Sequence, residues 1–256
     1  MKYIIGVSSM SVALRPLIEN RLPVQGRLTG ELCVGEQVGR YLAVETSGRQ
    51  ALFLLADILA DIIIEHLQIR FLMAELNENY DYLSERDRSE VLVGTVKRLW
   101  YGGGKEKLEL KKKDIASRVV ACLLECDGRL ALDGVLRFRM KDYVAEWKKT
   151  MEDCAMQYTL RTEKREFIKL LRYFVCMREP AVRYVEVLPA GEEYAMFDEQ
   201  GNKISVSLEE EADATKEDLL LSGLIDLAPE VIDLEHVGDT ELKGLLADIF
   251  VGRVRI

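Results

Sequence analysis

Four residues in one apolar segment have side-chain types and a spacing that could perform chemistry. Asp57, Asp61 and Glu65 recur every four residues, and His66 follows directly. Carboxylates one helical turn apart share a face, where they could hold a hard cation or raise one another's pKa. A di-iron site in a helical bundle would need Glu-x-x-His motifs on paired helices, which this segment lacks. A solvated stripe, or ion pairs with a neighbouring helix, explains the same residues, so they form a candidate polar cluster and nothing more specific.

The cysteines offer a second possible site. Cys122 and Cys126 lie one helical turn apart and could bind a soft metal together with Cys154 and Cys176. Zinc knuckles usually place their cysteines on loops, whereas these four fall on apolar helix faces, where cysteine packs as a small hydrophobe. A catalytic cysteine would also need a nearby base, and the two histidines of the chain lie in distant segments. We therefore predict buried cysteines and no metal, cofactor or catalytic residue.

The Gly102–Lys105 turn imitates a phosphate-binding loop. Its spacing departs from that of a Walker A motif, Glu106 stands where serine or threonine should follow the lysine, and no strand precedes it. Consecutive glycines are typical of a flexible connection. We predict a loop between two helices at this point.

Basic residues are concentrated in the central part of the chain, where residues 135–180 carry 11 Lys and Arg against seven Asp and Glu. Those interleaved with aromatics are Arg137, Arg139, Lys141, Lys148, Lys149, Lys164, Arg165, Lys169 and Arg172. Such a surface could meet an anionic ligand or a nucleic-acid strand. Because the acidic residues dilute it, docking against an acidic part of the same chain is the simpler use, and we do not expect nucleic-acid binding.

The carboxyl-terminal part is strongly acidic. Of the net charge of −9 for 256 residues, residues 181–256 contribute six Lys and Arg against 18 Asp and Glu. Such a surface repels phosphate backbones and favours solubility or a basic partner. With 48% hydrophobic and 31% charged residues, the composition is that of a soluble globular protein.

Cysteine usage and hydropathy indicate a compartment. Five cysteines without a disulfide-like spacing suit a reducing environment, so we predict a cytoplasmic protein. The amino-terminal MKYIIGVSSMSVAL has a single lysine and a run diluted by serines, and no cleavage site follows it, so export is not expected. The strongest apolar run, Ala51–Ile64, is too short and too charged to span a bilayer.

The part of the chain before Pro180 reads as mainly helical. A strand at Tyr3–Val7, a short helix at Val12–Asn20 and a hairpin of Leu28–Val34 and Arg40–Thr46 around a Gly35–Gly39 turn predict a small β cap. The nearly continuous apolar pattern from Ala51 to about Leu76 predicts a buried helix at the centre of a bundle. Further helices are predicted at Ser84–Leu99 and Asp114–Cys126.

A helical pair is predicted over Leu136–Met177. Its apolar residues recur at spacings of three and four up to Tyr158, and Thr162 is an N-cap candidate for a second helix that Pro180 must end. That second helix carries a dense set of apolar residues that we assign to the core: Phe167, Ile168, Leu170, Leu171, Phe174 and Val175.

Beyond Pro180 the period of the apolar pattern changes from 3.6 residues, typical of a helix, to 2 residues, typical of a strand. Strands are predicted at Val182–Leu188, Tyr194–Phe197, Ile204–Leu208, Val231–Glu235 and Val251–Ile256, and helices at Lys216–Ile225 and Thr240–Phe250. The β-α-β order implies at least one parallel strand pair. The predicted fold is α+β. Residues 1–180 form a mostly helical domain with an amino-terminal β cap, and residues 181–256 form a small acidic domain with a mixed α/β sheet.

Two runs in the helical pair resemble a known family. FRMKDY at Phe138–Tyr143 and EFIKLLRYFV at Glu166–Val175, followed by a short strand, resemble the YtxC-like family of sporulation proteins of spore-forming bacteria. Leu224–Ile256 is also similar to the carboxyl end of that family, so the resemblance covers about half of the chain. It implies a setting in sporulation, and it transfers no catalytic or ligand-binding residue to this sequence.

The functional expectation follows from this resemblance and from the lack of a catalytic constellation. We expect a non-enzymatic cytoplasmic protein associated with sporulation, which acts through contacts with an unknown protein partner. The alternative is an enzyme or small-molecule sensor with a pocket between the two domains, using Asp57, Asp61, Glu65 or the basic central helices. Neither version is expected to use a cofactor or a membrane span.

Overall fold

The computed structural model describes residues 1–7, 13–22, 32–191, 193–205 and 215–256. Two compact units divide the chain, Met1–Tyr158 and Thr159–Ile256. The second unit therefore begins within the long helix and ahead of the change of period at Pro180. The predicted domain boundary near residue 181 concerns which parts of the chain fold independently, and it stays a prediction.

A four-stranded mixed sheet forms the β part of the first unit. Its strands are β1 (Lys2–Gly6), β2 (Leu32–Val38), β3 (Tyr41–Thr46) and β4 (Arg129–Ala131), in the order β2-β3-β1-β4. β1 is antiparallel to β3 and parallel to β4. Alternate residues such as Tyr3 and Ile5 on β1, and Leu42 and Val44 on β3, enter the core, as a half-buried sheet requires.

The predicted β hairpin is present, but its turn lies elsewhere. β2 continues through Val38, with a register shift between Val34 and Gln37, and the chain reverses at Gly39, whose φ is +61°. The irregular pairing absorbs the residues that the sequence assigned to the turn, so the Gly35–Gly39 turn was wrong. Residues 28–31 of the predicted first strand, and residue 12 of the predicted short helix, lie outside the described residues. β4 was missed because three residues cannot display an alternating pattern.

Helices surround this sheet's buried face and build the rest of the first unit. They are α1 (Leu14–Glu19), α2 (Arg49–Ile62), a π-helical segment (Ile63–Leu67), α3 (Gln68–Asn79), α4 (Glu85–Tyr101), α5 (Gly104–Glu125), α6 (Leu132–Arg139) and the start of α7 (Lys141–Met177). The α2, π and α3 segments follow one another without a break over the predicted buried helix. Leu55, Leu59 and Ile62 are fully buried there. At the start of α4, the Ser84 side chain accepts a hydrogen bond from the Asp87 backbone N–H, which caps the helix.

The helical pair is interrupted at a different residue from the one predicted. α7 runs unbroken from Lys141 to Met177, so the proposed cap at Thr162 was wrong. The break falls at Met140, between α6 and α7, where the backbone leaves helical geometry. Threonine caps a helix only where its own backbone is extended, and it is tolerated in a helix interior at a cost of less than about 1 kcal/mol.

A five-stranded mixed sheet forms the β part of the second unit. Its strands are β5 (Tyr184–Ala190), β6 (Glu193–Phe197), β7 (Lys203–Ile204), β8 (Val231–Asp233) and β9 (Val254–Arg255), in the order β7-β6-β5-β8-β9. β5 to β7 pair antiparallel, whereas β8 pairs parallel with both β5 and β9. The parallel pairing that the β-α-β order implied is confirmed. Residues 206–208 of the predicted third strand, and the acidic run 209–213, lie outside the described residues.

Two capped helices complete the second unit. α8 (Lys216–Leu227) begins with a capping box, in which Thr215 accepts from the Asp218 N–H and Asp218 accepts from the Thr215 N–H. α9 (Thr240–Ile249) begins with Asp239, which accepts from the first-turn N–H groups of Glu241 and Leu242. Their apolar faces meet the sheet in a core with Val185, Ile232 and others. Helices with two small mixed sheets confirm the predicted α+β class.

Candidate interaction surface

The candidate polar cluster is engaged in ion pairs. Asp61 Oδ1 lies 2.8 Å from Lys112 Nζ, and Glu65 Oε2 lies 2.5 Å from Arg21 Nη2. The same Arg21 nitrogen lies 3.2 Å from His66 Nε2. Two of the three carboxylates are therefore neutralised by cations from α5 and from the residues after α1. A metal ion would have to displace both cations.

The electrostatics of the cluster fit this arrangement. Partial burial, Arg21 and Arg70 lower the pKa of His66, which favours the neutral ring that can accept a hydrogen bond from Arg21. Burial and the neighbouring Asp61 raise the pKa of Asp57. Within the described residues, no group of three or more His, Cys, Asp and Glu side chains is placed to hold a metal ion. A functional role for Asp57, Asp61, Glu65 and His66 stays a prediction, with ion pairing as its structural alternative.

The cysteines are free thiols with different environments. Cys122, Cys126 and Cys154 are half-buried, and partial burial raises the pKa of the Cys122 thiol, as for a small packed hydrophobe. Cys176 is exposed, so its predicted burial was wrong. It follows the buried Val175 and is turned about 100° around the helix from it, away from the core. The Gly102–Lys105 segment ends α4 and begins α5, which confirms an interhelical turn.

The FRMKDY run joins the start of α7 to α5. Met140 is buried, and Arg118 on α5 makes a two-pronged ion pair with Asp142, at 2.7 and 2.8 Å. The Tyr143 hydroxyl donates to Asp114 at 2.8 Å, and the Arg118 guanidinium also lies over the Tyr143 ring. These contacts give the run a structural role. Phe138, by contrast, is largely exposed.

The Asp142 pair predicts a pH-dependent stability. The Arg118 hydrogen bonds hold the pKa of Asp142 below its usual value. The stabilisation that the Arg118–Asp142 pair supplies is therefore complete above the pKa of an unfolded-state aspartate, about 3.9. It is lost as the pH falls through the lower pKa that Asp142 has in the folded protein. We expect Asp142→Asn to reduce the free energy of unfolding by at most about 1 kcal/mol at neutral pH, because the pair is partly exposed. Denaturant unfolding at a series of acidic pH values should show that the difference in free energy of unfolding between the wild type and Asp142→Asn becomes smaller as the pH falls.

A carboxylate outside such a pair supplies the control. Asp81→Asn should change the free energy of unfolding by less than about 0.5 kcal/mol at neutral pH, because Asp81 is exposed. A deficit for Asp142→Asn that stays constant into acid would contradict the role given to the ion pair.

Helix α7 packs different faces along its length. In the first unit, Trp147, Met151 and Ala155 belong to the buried core. In the second unit, Val175 is buried in the other core, and Ile168 and Leu171 pack against that core. From Thr159 onwards, only the face that carries these three residues is covered. The remaining surface of the same segment therefore determines what the helix presents to solvent.

The neighbouring face, turned about 100° from the covered one, is apolar and exposed. Between 49% and 68% of each side chain is accessible at six positions, which we call the apolar stripe: Leu160, Phe167, Leu170, Tyr173, Phe174 and Met177. All but Tyr173 fall on the alternating three- and four-residue spacing of a heptad, with Glu163 at the one vacant position. Tyr173 and Phe174 also contact each other edge to face, with ring centroids 6.3 Å apart. Single exposed apolar residues are ordinary, whereas a contiguous set marks an interaction surface.

The helical segment that carries the stripe is basic. Between Thr159 and Arg178 there are six Lys and Arg residues against two Glu residues. Arg172 is held by the Asp248 carbonyl, and Arg178 by the Asp226 carboxylate at 2.6 Å. Lys169 pairs with Glu166 at 2.7 Å, on the exposed side of the helix. Among the described residues, no carboxylate lies within ion-pair distance of Lys164 or Arg165. By helical geometry, Arg165 lies on the side of the helix away from the stripe, whereas Glu163 and Glu166 lie on or beside it, so the rim of the stripe carries mixed charge.

Sequence reasoning assigned part of this stripe to the core. It placed Phe167, Leu170 and Phe174 in the interior together with their neighbours, and the structure exposes all three. The signal that could have separated them is the repeated apolar doublet, 167/168, 170/171 and 174/175. Two neighbouring residues point about 100° apart on a helix, so a row of doublets is wider than one core can cover.

A separate open concavity lies in the first unit. It has a volume of about 670 Å³ and is lined by residues of all four strands, including Ile4, Tyr41 and Ala43. Its charged lining residues are Glu36 and Arg129. No residue of the candidate polar cluster lines it, so the two features do not form one site.

Comparison with known proteins decides the family. A model of the YtxC-like family matches residues 53–255, well over half of the chain. The chain belongs to the YtxC-like family. The match confirms the resemblance found in FRMKDY and EFIKLLRYFV, and it includes all of α7 with the apolar stripe. Residues 1–52, which contain β1, β2 and β3, precede it. Searches of curated proteins and of solved structures found no match.

Over the residues that the structure describes, no helix combines the length and apolar character that a bilayer crossing needs.

Proposed function

We propose that this member of the YtxC-like family is a non-enzymatic, cytoplasmic, sporulation-associated protein that works through protein contacts made by the apolar stripe. The observation that carries the proposal is the exposure of six apolar side chains on a helix whose neighbouring face packs against the core of the second unit. The sporulation setting rests on the family resemblance, and the cytoplasmic setting on cysteine usage.

The energetics favour a protein ligand for the stripe. Burying one Leu, Phe or Met side chain contributes about 1.5–3 kcal/mol, so a partner that covers several of them gains substantially. Aromatic residues and methionine are enriched at the centres of protein interfaces, and the stripe holds three aromatics and a methionine. Its helical position also fixes the spacing of these side chains before binding, which lowers the entropic cost of association.

The alternative of an enzyme or sensor gains no support from the candidate polar cluster. Asp61 and Glu65 are paired with Lys112 and Arg21, which leaves these carboxylates no free charge for a substrate. Protein contact is therefore the function that the described side chains support best.

The double substitution Phe167→Ser with Leu170→Ser tests the proposal. It should reduce the spore yield of the native host to that of a deletion strain, since losing two interface anchors costs about 2 kcal/mol each, or more than tenfold in affinity. Spore counts after heat treatment, in a deletion strain that expresses each variant, supply the measurement. Purified variant protein should keep a thermal unfolding temperature close to that of the wild type, because the replaced groups are exposed.

Leu110→Ser is the matched control, since Leu110 is 66% exposed but lies on α5. A strain that expresses this variant should give the spore yield of the wild type. Wild-type spore yield from the stripe variant would overturn the role of the stripe, and a deletion strain with normal spore yield would overturn the sporulation setting.

A further inference from the structure

We infer that the open concavity of the first unit binds a small aromatic molecule with a carboxylate at one end and an ammonium group at the other. The concavity lies on the outer face of the four-stranded sheet, and no residue of the apolar stripe lines it. Its volume of about 670 Å³ is within the range of about 300–1,000 Å³ that small-molecule sites occupy. The inference goes beyond the proposed function and does not depend on it.

The outer face of this sheet is apolar where a solvated face is usually polar. At the start of β1, the outward-pointing Lys2 pairs with Glu45 at 3.5 Å, as at an ordinary solvated face. The next outward position is Ile4, which lies beside Ala43 on β3, and both line the concavity. Val38 of β2 lines it too, with 72% of its side chain exposed. An apolar area of this kind, bordered by polar residues, is typical of a ligand surface.

Small residues make this face concave. Ala43 and Ala131 line the concavity, and Gly6 lies beside both Tyr41 and Ala131 in the strand register. A Cβ atom at Gly6 would lie 2.5 Å from Cδ1 of Tyr41, so the Tyr41 ring rests against the glycine backbone. Only glycine leaves room for the ring in this position. A broad floor beside one aromatic ring favours a planar aromatic ligand, which can stack on that ring.

The two charged lining residues lie on the two edge strands. Arg129 is on β4 and Glu36 is on β2, with β1 and β3 between them. Strands are spaced by about 4.8 Å, so the two backbones lie about 14 Å apart, and a ligand reaches both side chains only with charges at its two ends. A guanidinium binds a carboxylate through paired hydrogen bonds, and a carboxylate accepts hydrogen bonds from an ammonium group. The arrangement therefore also fixes the orientation of the ligand.

The two charges differ in strength as anchors. Within the ranges that the structure describes, no carboxylate lies within ion-pair distance of Arg129. Glu36 has Arg15 in its vicinity, since Glu19 and, to a lesser extent, Glu36 raise the pKa of Arg15. The ion pair of Arg15, however, is with Glu19 at 2.7 Å. The carboxylate of the ligand, bound by Arg129, should therefore contribute more to affinity than the ammonium group.

Three biphenyl compounds test the inference with the full-length protein. The first is a para-linked biphenyl with a carboxylate at one end and an aminomethyl group at the other; the second lacks the carboxylate, and the third lacks the amine. Each is titrated into isotope-labelled protein, and backbone amide shifts are followed by NMR. The first compound should shift amides of β1, β3 and β4. It should bind at least about tenfold more tightly than the second compound and about threefold more tightly than the third.

Two charge variants assign the ends of the ligand. Arg129→Gln should weaken binding of the first compound about tenfold and leave the affinity of the carboxylate-free compound unchanged. Glu36→Gln should weaken binding of the first compound about threefold and leave the affinity of the amine-free compound unchanged. Arg86→Gln, which removes an exposed arginine from α4, is the matched control and should change no affinity.

A third variant fills the floor. Ala43→Phe should abolish binding of all three compounds, and it should keep the wild-type fold because phenylalanine is favourable in a strand and this position faces outward. Phe167→Ser with Leu170→Ser should leave all affinities unchanged, which separates the concavity from the apolar stripe.

Several results would overturn the inference. These are no amide shifts up to the solubility limit of the first compound, shifts confined to the second unit, equal affinity for the three compounds, or an Arg129→Gln variant with the affinities of the wild type. A wild-type dimer in sedimentation that Ala43→Phe dissociates would identify a second copy of the chain as the occupant and would equally overturn it.

Discussion

Replacing Trp147 with alanine is expected to lower the free energy of unfolding of the first unit by about 3–5 kcal/mol. Trp147 is 2% exposed in the core and lies edge-on to Phe71, with ring centroids 6.0 Å apart. Its removal loses the transfer free energy of an indole ring and leaves a cavity that the surrounding helices fill only in part. Denaturant unfolding can be followed by the fluorescence of Trp100, the other tryptophan, whose Nε1 donates to Gln68 in the same unit.

Phe138→Ala supplies the matched control, because Phe138 is also aromatic but is 74% exposed. It should change the free energy of unfolding by no more than about 0.5 kcal/mol. A loss below about 1 kcal/mol for Trp147→Ala would mean that α7 does not pack into the first core as described.

Local periodicity was sufficient for much of the secondary structure. The apolar spacing that includes Trp147 and Met151 identified a helix and its buried face, and the change to alternation after Pro180 identified the second sheet. These signals arise from neighbours along the chain, so they can be read without knowing the fold. β4 shows the limit, because its pairing with β1 is fixed by a partner more than a hundred residues away.

Which apolar face is covered is the part that periodicity cannot supply. Phe167 and Ile168 are equally hydrophobic neighbours, yet only Ile168 packs against the core of the second unit. The distinction depends on where the sheet lies around α7, which is a tertiary fact. A protein core covers about a third of the surface of a helix. Where the apolar face is wider than that, part of it stays exposed and can contact another molecule.

The candidate polar cluster illustrates the same limit for charge. Spacing placed Asp57, Asp61 and Glu65 within reach of one face, and that much follows from helical geometry. Their neutralisation does not, because Arg21 is 44 residues from Glu65 along the chain. Lys112 reaches Asp61 from α5 through packing of helices that are distant in sequence. Partners of this kind decide whether a set of carboxylates is a site or a group of ion pairs.

Replacing Glu163 with proline is the second large prediction, and it tests the continuity of α7. Inside a helix, proline removes the hydrogen bond to the carbonyl four residues earlier and clashes with that carbonyl, at a cost of about 3 kcal/mol or more. At the first position after a cap at Thr162, the same proline would be favourable. Because α7 runs unbroken through residue 163, we expect the large loss, measured by circular dichroism during denaturant unfolding.

Glu163→Ala separates the backbone effect from the loss of the side chain. Alanine is the best helix former and removes the same exposed carboxylate, so it should change the free energy of unfolding by less than about 0.5 kcal/mol. If proline and alanine have equal effects, the helix breaks at Thr162 after all. The proline variant also has a functional consequence under the proposed role of the stripe. A kink at residue 163 takes Leu160 out of line with Phe167 and Leu170, so this variant should give a lower spore yield than the alanine variant, which keeps the straight stripe.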